Sequence, residues 1–124
     1  MKIRIQGNSV RYRLTRSEVA SLKKDGYYRE QTAFNGKNFT YAVAAKENIT
    51  DLEAEFQENT ITLFVPKNDS LKWPDNERVG YENKMILKDG QVLNLLLEKD
   101  FVCLDERLED QSDNYPNPAA TTKK

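Results

Sequence analysis

The sequence predicts a mainly β protein of the α+β kind. The expected form is an antiparallel hairpin meander, rolled into a curved sheet or a partly closed barrel, with one short N-terminal helix. Three observations carry this expectation. Apolar and polar residues alternate over short stretches from the first residue onward. Turn signals separate those stretches: Gly7-Asn8, Asn35-Gly36, Glu58-Asn59 and Lys88-Asp89-Gly90. Helical punctuation is clearest in one stretch, beginning at Thr15. About eight strands spaced by about 8 to 12 residues fit an antiparallel sheet, sandwich or barrel.

Met1 to Gln6 alternates, with Ile3 and Ile5 apolar and Lys2, Arg4 and Gln6 polar. After Gly7-Asn8, Ser9 to Leu14 alternates again, Val10, Tyr12 and Leu14 inward and Arg11 and Arg13 outward. Thr15 to Glu18 has the spacing of a capping box, Lys23 and Lys24 suit the negative end of a helix dipole, and Gly26 suits its C-terminal stop. These define a helix over about residues 16 to 24.

Tyr27 to Phe34 and Asn38 to Ala45 flank Asn35-Gly36, a turn expected to need positive φ at both positions. Leu52 to Phe56 alternates, with Glu53 and Glu55 outward, and Thr60 to Val65 returns after Glu58-Asn59. Pro66 to Trp73 has room for one helical turn. Val79 to Leu87 is a further strand, followed by the most apolar stretch of the chain from Gln91. There Leu93, Leu95 and Leu97 face one way and Val92 and Leu96 the other, as in a strand covered on both sides. Glu98-Lys99-Asp100 interrupts it, and three charges on a buried strand require exposure or pairing. No internal repeat is read from the sequence.

The chain has 124 residues, which suits one domain over residues 1–110 followed by a polar tail over 111–124. A net charge of −1 gives no general affinity for polyanions. The single cysteine, Cys103, excludes an internal disulfide and is expected to be buried and inert. The first ten residues carry no apolar signal region, and no run approaches the roughly 20 apolar residues of a membrane span. A cytoplasmic location and no membrane partner are therefore expected. The absence of histidine removes histidine-based triads, bases and zinc sites.

Two stretches, MKIRIQGNSVRYRLTRSEV and LEKDFVCLDERLEDQSDNYPNP, resemble a family of small uncharacterised bacterial proteins, a domain of unknown function. That resemblance implies a bacterial, stand-alone domain and brings no activity, cofactor or catalytic residue with it. A second resemblance is architectural, to the triphosphate tunnel metalloenzymes. These are antiparallel barrels in which Arg and Lys hold phosphates and glutamates of a Glu-x-Glu-x-Lys strand hold Mg²⁺ or Mn²⁺. Glu53-Ala54-Glu55-Phe56-Gln57 matches the two glutamates and has Gln57 where that pattern has lysine.

The candidate site is therefore an anion site formed by Arg4, Arg11 and Arg13 on the N-terminal hairpin. Guanidinium groups match phosphate and carboxylate oxygens two at a time. The leading reading is a small non-enzymatic binding or accessory domain, its ligand an anionic small molecule or a protein partner. The alternative is a metal-dependent phosphate-handling enzyme of the tunnel type, with Glu53 and Glu55 holding Mg²⁺ or Mn²⁺ opposite those arginines. It requires both sets to converge in one cavity. Nucleic acid is not an expected partner: the aromatic residues carry no ribonucleoprotein or cold-shock pattern. The acidic tail, Asp105 to Pro118, is expected to dock across the basic hairpin, with Tyr115 and Pro116 packing beneath it.

Overall fold

The computed structural model describes residues 1–101 and 112–116. Its elements are β1 (Lys2–Gln6), β2 (Ser9–Leu14), α1 (Arg16–Asp25), β3 (Tyr27–Phe34), β4 (Lys37–Lys46), β5 (Glu53–Gln57), β6 (Thr60–Pro66), α2 (Lys67–Lys72, continued by a 3-10 turn over Trp73–Asp75), β7 (Gly80–Ile86) and β8 (Val92–Lys99). They form two four-stranded sheets with the orders β1-β2-β8-β7 and β3-β4-β6-β5.

The mainly β expectation holds, but the meander and the partly closed barrel do not. Each sheet consists of two antiparallel hairpins joined through a parallel pair, β2 with β8 and β4 with β6. Parallel neighbours cannot be joined by a tight turn. The hairpins of the first sheet are instead separated by all of the second sheet. A second short helix, α2, also joins the expected one. Asp69 in its first turn and Lys72 in its last suit its dipole.

The helix α1 ends as its sequence dictates. The Glu18 carboxylate accepts from the Thr15 N–H at 2.8 Å. Gly26 takes φ 71° and donates its N–H to the Leu22 carbonyl. The turns differ from expectation. Asn35-Gly36 has positive φ only at Gly36, whereas Glu58 and Asn59, with no glycine, sit at φ 50° and 60°.

Tyr12, Leu14, Leu95 and Leu97 from the first sheet meet Val43, Leu63 and Val65 from the second. Val19, Leu22 and Trp73 from the helical segments complete one core. Trp73 stands edge-on to Tyr81 at 5.3 Å and donates its indole N–H to the Arg78 carbonyl, so its polar atom is satisfied.

The chain folds as the same ββαββ unit twice, contrary to the expectation of no repeat. The pairs Lys2↔Arg13 and Gln6↔Ser9 correspond to Glu53↔Phe64 and Gln57↔Thr60. The parallel pair Ser9↔Asn94 corresponds to Thr60↔Thr40. Tyr28↔Val43 corresponds to Tyr81↔Leu97. Buried Leu22 and Trp73 occupy equivalent places at the end of the two helical segments. Identities are few, because equivalent core positions need only similar hydrophobic volume.

Candidate functional site

Strand alternation and register together assemble the basic residues. On the first sheet Ile3, Val10, Tyr12, Leu95, Leu97 and Tyr81 face the core. The residues between them therefore share the outer face. Register sets them in rows across the sheet: Lys2, Arg13, Glu98, Gly80, and next to it Arg4, Arg11, Leu96, Glu82. Arg4, Arg11 and Arg13 thus come to one surface, as their alternation suggests, and Lys2 joins them. With Ile3 they line a groove of about 310 Å³. A second groove of about 210 Å³, lined by Arg4, Gln6, Ser9, Arg11 and Leu96, adjoins it.

Among the described residues two carboxylates pair with these cations. One oxygen of Glu98 lies 3.0 Å from Arg11 Nε and 3.7 Å from Arg13 Nε. Asp100, almost fully buried, lies 3.1 Å from Lys2 Nζ. Among the described residues Arg4 makes no ion pair, and its guanidinium donates to Gln6 at 2.9 Å. Gly80 makes room for Glu98: a Cβ there would stand 2.3 Å from the Leu97 carbonyl oxygen and 3.1 Å from Glu98 Cγ.

Lys2 and Gly80 were not among the expected site residues, and Glu98 was not expected beside the arginines. Lys2 carried the same alternating signal as Arg4. Glu98 and Gly80 lie far along the chain, and only the parallel β2–β8 register brings them in. The charged run from Glu98 to Asp100 resolves as pairing. Glu98 and Asp100 meet cations, while Lys99 turns inward and donates to the Asn76 carbonyl at 2.6 Å. Its ammonium also lies 4.9 Å from the Tyr115 ring and 5.9 Å from the Trp73 ring. Burial pulls the Lys99 ammonium below its ordinary range.

Glu53 and Glu55 lie on β5, an edge strand of the other sheet. Glu53 pairs with Lys46 at 3.0 Å. They do not share a sheet with the arginines, and they line neither arginine groove. Among the described residues no group of three or more acidic or sulfur side chains is placed to hold a metal ion. The convergence required by the tunnel reading is not seen.

A second polar cluster lies between the sheets. The Met1 ammonium donates to Glu18 and Glu30, and the Tyr41 hydroxyl lies 3.5 Å from Glu30. Burial opposes the charge on the Met1 ammonium, but the two carboxylates outweigh it and raise its pKa. Burial also pushes Glu18 upward, and the ammonium and the Thr15 N–H more than reverse that. Burial, then the charges of Glu18 and Glu30, push the Tyr28 hydroxyl up to about 12.

The described part of the tail does not lie on the arginines. Asp113 accepts from the backbone N–H groups of Arg16 and Ser17 at the start of α1. Tyr115 bridges to Phe101, and Arg16 lies 5.5 Å from its ring. The acidic residues 105–110 and Cys103 lie outside the described residues. Among the described residues no helix is long and apolar enough to cross a membrane.

No curated protein and no solved structure is detectably similar to the chain. The model of the Family of unknown function (DUF7009) matches residues 1–119, nearly the whole length, and the chain belongs to that family.

Proposed function

We propose that the protein is a small binding module whose outer first-sheet face takes up an anionic group, with Arg4, Arg11 and Arg13 as the contacting residues and Lys2 beside them. The observation that carries this reading is an internal comparison. The two ββαββ units place equivalent residues on equivalent faces. Where the first has Lys2, Arg4, Arg11 and Arg13, the second has Glu53, Glu55, Thr62 and Phe64. The second unit forms the equivalent hairpin, β5 with β6, with none of those cations, so the basic set is not something the fold demands.

Like charges on neighbouring strands repel and cost stability, by a few tenths to about 1 kcal/mol per opposed pair. Arg4 stands directly opposite Arg11. A concave basic surface kept at that cost is suited to anion capture.

The test is a thermal-shift titration of the full chain with inorganic triphosphate at physiological salt. A ligand at a hundredfold excess over its Kd stabilises by about 2.7 kcal/mol. The expected result is a saturable rise in Tm, lost in the Arg4→Gln, Arg11→Gln double variant. A titration with no shift in the wild-type protein would overturn the reading.

A further inference from the structure

We infer that Glu98 is a built-in rival for the anion at Arg11 and Arg13, and that it sets the face to prefer a phosphate-type dianion over a monocarboxylate. The inference rests on the anion-binding reading above and names the ligand class for it.

The geometry already contains a bound carboxylate. A single oxygen of Glu98 serves both arginines, at 3.0 and 3.7 Å, and in both cases through Nε. An incoming monocarboxylate would replace one such group by another of equal charge and gain little. A phosphate group carries about −1.5 to −2 charge at pH 7 and three acceptor oxygens. It can hold the arginine pair and still use Arg4, which lines the same groove.

The carboxylate is placed there by the fold. Gly80 leaves the lane that Glu98 occupies, since a Cβ would stand 3.1 Å from Glu98 Cγ. On the second sheet the counterparts of Arg11, Arg13 and Glu98 are Thr62, Phe64 and Ala44. All three differ together, so acid and arginines form one set that the scaffold does without elsewhere.

The experiment is calorimetric titration of wild type, Glu98→Gln and Glu98→Asp with inorganic phosphate and, separately, acetate at pH 7.5. The wild type should bind phosphate and not acetate. Glu98→Gln should bind phosphate roughly fivefold more tightly, the equivalent of one partly exposed ion pair, and should now accept acetate. Glu98→Asp withdraws the carboxylate by one methylene, keeps the charge, and should fall between; it carries the test if the glutamine variant does not fold. If phosphate binds the wild type and both variants equally, Glu98 is not a rival, while the anion site stands. If phosphate binds none of them, the anion-binding reading itself falls.

Discussion

Asn83 donates its side-chain amide to the carbonyl oxygen of Leu52 at 2.8 Å, joining β7 of one sheet to the residue that precedes β5 of the other. In the first ββαββ unit the equivalent residues are Glu30 and Met1, and there the Met1 ammonium donates to the Glu30 carboxylate. Both units therefore tie their sheets together at the same place, one with a neutral hydrogen bond and one with an ion pair. Asn83→Ala should remove the first tie and leave a partly buried carbonyl unsatisfied. The expected loss is about 1 to 2 kcal/mol by urea unfolding. An unchanged midpoint would mean that the bond adds nothing.

The ion-paired tie makes stability depend on pH at both ends. The folded protein holds Glu18 below its ordinary range, so that contribution is complete above the unfolded glutamate pKa. It is lost as pH falls through the lowered folded value. The Met1 ammonium is held above its ordinary range, so its contribution is complete below the unfolded pKa and is lost as pH rises through the folded one. Glu18→Gln should cost about 1 to 2 kcal/mol at neutral pH. The gap between wild-type and variant Tm should close toward both acid and alkaline pH. A gap constant across the range would show that the charge is not the cause.

Gly80→Ala should be far more damaging than an ordinary surface change. The new methyl would stand 2.3 Å from a backbone oxygen of β8, which cannot rotate away. A cost of about 2 to 3 kcal/mol is expected, the upper range for overpacking. Chemical denaturation checks it, and a loss below about 0.5 kcal/mol, typical of neutral surface changes, would contradict the geometry.

Glu58→Gly should stabilise. Glu58 holds φ 50° at the turn where the first unit has Gly7 at φ 55°. A left-handed non-glycine residue costs roughly 1 to 2 kcal/mol, and glycine returns about 0.5 to 1 kcal/mol through its unfolded freedom. The net expected gain is about 0.5 kcal/mol, seen as a Tm raised by a few degrees.

The strands were legible because alternation is local: the run from Ile3 through Leu14 states its inner and outer faces without reference to the rest of the chain. The same locality put Arg4, Arg11 and Arg13 on one side. Partnership across the chain was not legible. Nothing within β2 marks β8 as its neighbour, so Glu98 and Gly80 could not be assigned to the arginine face, and antiparallel pairing was expected throughout. The duplicated unit was faintly written, in Gln6-Gly7-Asn8-Ser9-Val10 against Gln57-Glu58-Asn59-Thr60-Ile61. The exchange of Lys2 and Arg4 for Glu53 and Glu55 hid it, since outer-face residues are free to change sign. The Asn35-Gly36 turn shows the limit of even a strong local signal, because only Gly36 adopts the left-handed form.

The parallel pairing of β2 with β8 also imposes an order on synthesis. The strands of the second sheet are contiguous, from Tyr27 to Pro66, and all are available once the nascent chain has passed that point. The first sheet must wait. Its opening hairpin carries Tyr12 and Leu14 on a strand whose partner runs from Val92 to Lys99, among the last described residues to be made. Until then the β2 edge stays unpaired, the condition in which nascent chains recruit chaperones or one another.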